Sequence, residues 1–371
     1  MGMLKKVLSH PGKVPGAILR RLDRAYWKFA DPTDARTEVL WHREEQPFLN
    51  APVDLHDPVL AERMRTCNTW TQEEYVHRIT GDLLLDPYSG FVVLPGRRVV
   101  QPSLPYHHQA KRPSAWKSIA ARNSGSNVLE LDRIISFRDV HETNYFHCIN
   151  DVLTKIPLLR TIGSIDVPVV VGTALYHKPF FQAMLPSLKA AGVNIIDHGQ
   201  RFIRAQEVIY CKAMPCSAER IAAVVELLRK PAQQTTLVEH RNVFLTRRPG
   251  TANGRVPSNG AAMESMMTEL GFEVIDTASM PWSEQAELFR DVRHLVALHG
   301  AGLTNMVFRT GQPMNVLEIF PGDSLPPHYY WLAMASGFKY QGHIGEHSQA
   351  NGTFGLDLST LRDAVERLLR D

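Results

Sequence analysis

The sequence predicts an α/β protein built from two similar halves. Near-continuous apolar runs recur between helical patterns, as in parallel strands covered on both faces. The 371 residues exceed what one core usually supports, so two domains are expected. The alternation of strands and helices also runs twice, with a break near residue 215.

In the first half, FVVLPGRRVVQPS (91–103) reads as two short strands around a Pro-Gly turn. The strand-like run VLELDRIISF (128–137) leads to a helix starting near Asn144. VPVVVG (167–172), a helix over 178–190, NIID (194–197) and EVIYC (207–211) follow. The second half opens with SAERIAAVVELLRK (217–230), a helix capped by Ser217 with Glu219 in its first turn. NVFLTRR (242–248), FEVID (272–276), HLVALHG (294–300) and NVLEIFP (315–321) are its strands. Helices are expected over 258–270, over 281–291 and from Leu303. Residues 357–370 place Leu358, Leu361, Val365, Leu368 and Leu369 on one helical face, which is expected to pack back on one of the halves. The first 90 residues, Pro-rich and polar, read as irregular with short helical pieces.

A hydrophobic content of 44% marks a globular chain. Its 41 basic and 38 acidic residues give no electrostatic case for a nucleic-acid partner. Cys67, Cys148, Cys211 and Cys216 form no CxxC pair and are too few for a disulfide framework, which fits a reducing, cytoplasmic setting. No apolar run is long enough to span a membrane, and the N-terminus lacks the apolar core of a signal peptide. Lys5, Lys6, Lys13, Arg20, Arg21, Arg24 and Lys28 lie among apolar residues. Two readings stand: a solvated basic arm, or a segment resting on an anionic membrane surface.

Several segments combine residues suited to chemistry. HGAGLTNMVF (299–308) leaves a predicted strand, and open parallel sheets bind ligands at the carboxyl ends of their strands. Gly300 and Gly302 are expected to supply backbone freedom and close approach, with Ala301 between them. The helix amides, Thr304 and Asn305 then face an anion as donors. The bland alternative is a tight packing turn. Arg247, Arg248 and Arg255 follow another strand and suit a diphosphate, or form a solvated basic loop. Glu318, inside NVLEIF, needs partners: ribose hydroxyls on one reading, protein groups on the other. In HETNYFHCINDVLTKIPLL (141–159), Asn144, His147, Cys148 and Asp151 share one arc of a helix, while Phe146, Ile149, Leu153 and Ile156 line the other. His147 and Asp151 then form a candidate general base, or a helix-stabilising pair on a solvated face. HExxH, CxxC and DxD are all missing, and no metal is expected.

Taken together, NYFHCINDVLTKIPLL, FLTRR with its downstream Arg and Asn, HGAGLTNMVF and NVLEIFP resemble glycosyltransferase family 61, a group related to capsular polysaccharide biosynthesis. The resemblance covers residues 90–340. It implies a GT-B-like fold, two Rossmann-like halves facing across a cleft, and inverting transfer from a nucleotide diphosphate sugar such as a UDP-sugar to a hydroxyl acceptor. The implied division is an irregular region 1–90, an acceptor-side domain 91–215, a donor-binding domain 216–345 and a C-terminal segment 346–371. By the same resemblance the donor is held by Arg247, Arg248, His299, Gly300, Ala301, Gly302, Thr304, Asn305 and Glu318. His147 and Asp151 are then catalytic, with Asn144 on the acceptor side. Where the family often has Asn-Glu, this chain reads Asn259-Gly260, and Glu264 is given no role. The implied setting is bacterial and cytoplasmic, with peripheral contact to the inner membrane through the basic N-terminus as an open alternative. The rivals are a nicotinamide-dependent oxidoreductase, disfavoured because the GAG turn lacks the third glycine of GxGxxG, and a non-catalytic sugar- or nucleotide-binding module.

Overall fold

The structure, a computed structural model, describes residues 27–30, 37–53, 55–96, 98–110, 112–125, 127–163, 165–229, 240–247, 255–309 and 311–370. The basic residues between Lys5 and Arg24, and Arg248, lie outside the described residues. The chain is α/β and divides into two compact units. Unit 1 holds the described residues up to Arg43 together with Glu73–Met214, and unit 2 holds Glu44–Gln72 and Pro215–Asp371.

Unit 1 is built on a sheet of β1 (Lys28–Ala30), β2 (Thr37–Glu45), β3 (Gln72–Leu85), β4 (Val92–Leu94), β5 (Arg98–Val100), β6 (Val128–Ser136), β7 (Val169–Val171), β8 (Ile195–Asp197) and β9 (Phe202–Lys212). Their order is β1-β5-β4-β3-β9-β6-β7-β8, and β2 also pairs with β3. The neighbours β9, β6, β7 and β8 run parallel, whereas β3, β4 and β5 pair antiparallel. Only that parallel part has the alternation expected for the whole half.

Residues 72–85, which read as irregular from composition, form a 14-residue strand, the longest among the described residues. Its alternation is hidden by an irregularity: the register against β9 shifts between Thr80 and Leu83, where Gly81 takes φ 135°. Val76 and Ile79 before the shift, and Leu83, Leu84 and Leu85 after it, are all fully buried.

Unit 2 carries β10 (Arg241–Leu245), β11 (Val256–Pro257), β12 (Glu273–Ile275), β13 (Val292–Leu298), β14 (Asn315–Phe320), β15 (Lys339–Ile344) and β16 (Thr353–Phe354). Its main sheet is parallel throughout, in the order β12-β10-β13-β14-β15, and β11 pairs separately with β16. Counted along the chain, the main sheet runs second-first-third-fourth-fifth, so the strand order reverses between β10 and β13. All six residues of β14 are buried, which explains its uninterrupted apolar pattern around Glu318.

The helix Pro58–Asn68 also belongs to unit 2. It is started by Pro58 and by Asp57, whose Oδ1 accepts from the amides of Val59 (2.9 Å) and Leu60 (3.0 Å). Leu60 occupies the space where a side chain at Gly342 of β15 would lie. The C-terminal helix Leu358–Arg370 packs on unit 2: Leu361, Ala364, Val365 and Leu368 join Met263, Met266 and Met267 over Phe244, Val296, Leu317 and Ile319. Among the described residues, no helix is long and apolar enough to cross a membrane.

Because Leu361 is fully buried in that core, Leu361→Ala is expected to cost about 2–5 kcal/mol in denaturant unfolding. A loss below about 1 kcal/mol would show that the helix is not part of the core.

Candidate active site

The strand reversal in unit 2 is where an open parallel sheet leaves room for a ligand. There the structure has an open pocket of about 160 Å³. It is lined by the carboxyl-end residues of three adjacent strands: Leu245, Thr246 and Arg247 after β10, Asp276–Ala278 after β12, and Leu298, Gly300, Gly302 and Leu303 after β13. Arg247 lays its guanidinium against Gly300 and donates from Nη1 to the His299 carbonyl at 3.2 Å. A Cβ on Gly300 would lie 2.6 Å from Arg247 Nη2. A side chain at 300 would therefore displace this guanidinium, so what approaches the glycine is the protein's own cation. Neither Gly300 nor Gly302 has a positive φ, so the expected backbone freedom is not what this turn uses.

Among the described residues, neither Arg247 nor Arg255 has a carboxylate partner. Burial, then the charge of Arg255, pulls the Arg247 pKa below its ordinary value, while Tyr329 works the other way. Two guanidiniums within electrostatic reach, one partly desolvated, favour an anion beside them.

The other residues of the 299–305 turn have different surroundings. The chain from Ala301 to Arg309 is a 3-10 helix rather than a helix from Leu303. Thr304 and Asn305 are fully buried and do not line the pocket. Asn305 donates to Gln285 Oε1 (2.8 Å), and Gln285 Nε2 donates to the carbonyls of Thr277 (2.9 Å) and Met280 (2.8 Å). Asn305 therefore braces the Asp276–Ala278 wall.

Glu318 is wholly enclosed and both of its oxygens are engaged. Oε1 meets His299 Nδ1, and Oε2 accepts from the Tyr340 hydroxyl at 2.6 Å. Here the structure turns the carboxylate to protein groups, not to a ribose. His299 is held in place by Glu318 and by the rings of Phe320 (5.5 Å) and Tyr329 (5.3 Å). Burial first, then Glu318, raises the hydroxyl pKa values of Tyr329 and Tyr340 above the ordinary tyrosine range.

In unit 1, the chain leaving β6 builds a second constellation. Asn144 caps the helical segment, accepting from the Phe146 amide at 2.9 Å. The segment is not one α-helix: a short α turn, Tyr145–His147, passes into a π-helix over Cys148–Leu153 and then into the α-helix Lys155–Thr161. Pro157 has no N–H to give the Leu153 carbonyl, and the Thr154 hydroxyl donates to the Asn150 carbonyl, so regular α pitch is lost here. Cys148, expected on the open arc, is consequently fully buried, and burial pushes its thiol pKa up.

His147 and Asp151 do come together, with Nδ1 2.5 Å from Oδ2. Asn150 donates to the other carboxylate oxygen at 2.8 Å. The Asp151 side chain is 7% exposed and that of His147 19%, so the imidazole is the open member of the pair. Burial acts to lower the His147 pKa. The hydrogen bond and charge of Asp151, with the charge of Asp139, outweigh it and hold the imidazole above its ordinary value.

Sequence reasoning missed the surroundings of this pair. Asp139 is buried, and its carboxyl pKa is raised to about 6 by burial, opposed by Lys155 and reinforced by Asp151. Lys155 Nζ stands 3.9 Å from Asp139 Oδ2 and donates to the carbonyls of Phe137 and Arg138. The His141 ring lies 4.8 Å from that of His147 and accompanies Tyr106, a non-glycine residue at φ 56°. In unit 2 the missed residues are Asp276 and Thr277. Their available signal was an Asp closing the apolar run FEVID before Thr-Ala-Ser, the pattern of a strand end with a capping side chain.

The chain is an α/β protein with an anion-suited pocket at the sheet reversal of unit 2 and a histidine–carboxylate pair in unit 1. Residues 145–316 match the family Glycosyltransferase 61, which supports a glycosyltransferase. No curated protein matches the chain.

If Asp151 holds the His147 imidazolium, Asp151→Asn lowers the His147 titration midpoint in an NMR pH titration of the histidine rings. An unchanged midpoint would mean that the pair is only a packing contact.

Proposed function

We propose that the chain is an inverting, metal-independent glycosyltransferase of GT-B type. It transfers a sugar from a nucleoside diphosphate sugar, foremost a UDP-sugar, to a hydroxyl of a bacterial surface polysaccharide or related glycan. The observation that carries the reading is a partly open His147 imidazole oriented by the enclosed carboxylate of Asp151. With Nδ1–H given to Asp151, the neutral ring carries its lone pair on Nε2. His147 is then the base, and Asp151 orients it and balances its charge.

In the proposed step Nε2 takes the proton of the acceptor hydroxyl, and that oxygen forms a bond to the anomeric carbon. The bond from this carbon to the β-phosphate oxygen breaks, and the electron pair leaves with the nucleoside diphosphate. One in-line displacement inverts the carbon. The growing negative charge on the leaving group suits Arg247, Arg255 and the amides beginning the 301–309 turn, with Arg248 next in the chain. The match of residues 145–316 to Glycosyltransferase 61 supports the transferase class, and the pocket at the strand reversal supports a phosphate-bearing donor. The cytoplasmic setting, with contact to the inner membrane through the basic N-terminal residues, belongs to the same proposal.

The test is transfer from a panel of labelled nucleotide sugars. His147→Ala and Asp151→Asn, each with an unchanged melting temperature, are expected to lose about 10²–10⁴ in rate, the usual worth of a general base. Because a base acts unprotonated and His147 titrates above its ordinary value, the rising limb of kcat/KM against pH should lie above the usual histidine range. Wild-type rates in both variants would refute the base assignment. A melting temperature raised by NADH and not by UDP would instead favour an oxidoreductase.

A further inference from the structure

We infer that Asp276 and Thr277 form the subsite for the ribose diol of the donor's nucleoside, an inference that rests on the nucleotide-sugar reading above. The pocket has two chemically unlike walls. On the β13 side, Arg247 over Gly300 offers positive charge. On the β12 side stand a carboxylate and a hydroxyl. β10 lies between β12 and β13, and adjacent strands are about 4.8 Å apart, which separates the walls by one to two strand spacings. A ribose fits in such a gap with its 5′ phosphates toward the cation.

The acidic wall is built to accept hydroxyl donors. Asp276 Oδ1 accepts from the Ala278 amide at 3.0 Å, which fixes the side chain as the cap of the 3-10 turn Thr277–Ser279. Among the described residues, Oδ2 has no hydrogen-bond partner. A carboxylate oxygen so placed repels a phosphate and suits a vicinal diol, which brings two O–H donors. Thr277 Oγ1 would stand 3.2 Å from a Cβ on Gly302, so the glycine leaves the space beside this hydroxyl open. The backbone of the wall is held by the Asn305–Gln285 bridge to the Thr277 and Met280 carbonyls. Glu318, the other candidate for the ribose, has both oxygens engaged by His299 and Tyr340.

The experiment is calorimetric titration of the full chain with UDP, GDP, their 2′-deoxy and 3′-deoxy analogues, and inorganic pyrophosphate. None of these carries the transferred sugar, so any effect of the missing hydroxyl belongs to the ribose. Wild type should bind the preferred ribonucleotide about tenfold or more tightly than its deoxy forms, the worth of a hydrogen bond to a charged acceptor. Asp276→Asn keeps the oxygen that caps Ala278, and should reduce this preference to under about threefold while pyrophosphate binding is not weakened. Thr277→Val is the second variant and should weaken ribonucleotide binding more than deoxynucleotide binding. A wild type that binds UDP or GDP without distinguishing the deoxy forms overturns the subsite and leaves the donor reading standing. A preference that survives in Asp276→Asn and Thr277→Val also overturns the subsite. Failure of every nucleotide to bind overturns both.

Discussion

A guanidinium laid on a glycine, with no carboxylate partner among the described residues, sets the terms for unit 2. Arg247 lies where a Cβ on residue 300 would displace it, and among the described residues its hydrogen-bond acceptor is the neutral carbonyl of His299. Burial without charge compensation disfavours the charged form, and the lowered Arg247 pKa expresses this. A bound anion relieves the cost. Gly300 leaves the room for that cation at the strand reversal, and Gly302 leaves room beside Thr277.

A fixed polar core lies behind this cation. Glu318 sits at the centre of β14, where an unpaired carboxylate would cost several kcal/mol, and is answered on one side by His299 and on the other by Tyr340. His299 is the residue whose carbonyl receives Arg247, so the same histidine joins the buried carboxylate to the pocket edge. Asn305 and Gln285 do comparable work for the opposite wall. The functional motif is thus largely a support, and the groups open to the pocket are fewer than the polar residues of HGAGLTNMVF suggest. In unit 1 the arrangement is similar: Asp151 is enclosed and His147 is open.

How much was legible in the sequence depended on whether the signal was local. HLVALHG and NVLEIF were readable as strands because burial on both faces makes their runs apolar without a gap. His147 and Asp151 were readable as a pair because spacings of four meet under both α and π geometry, whereas Cys148 was misplaced once Pro157 and Thr154 disturbed the pitch. β3 was hidden by its register shift at Gly81. β15, KYQGHI, was missed because its residues are mostly half-buried and polar, and its place is decided by Leu60 and β14. The helix Pro58–Asn68 joins unit 2 through contacts more than 250 residues away, such as Asn68 with Tyr330 (3.0 Å) and Arg63 with the Leu325 carbonyl (3.2 Å). No local pattern encodes such pairings. Gly300 was recognised as important, but its reason was visible only when Arg247 was seen lying on it.

The most direct measurement of the central claim, that a nucleoside diphosphate is held where the strand order of unit 2 reverses, is amide hydrogen exchange with and without UDP. The account predicts that added UDP slows exchange in the peptides covering 245–247, 276–278 and 298–303, with the core strand β14 unchanged. Protection confined to other segments, or none at a UDP concentration that raises the melting temperature, would contradict it.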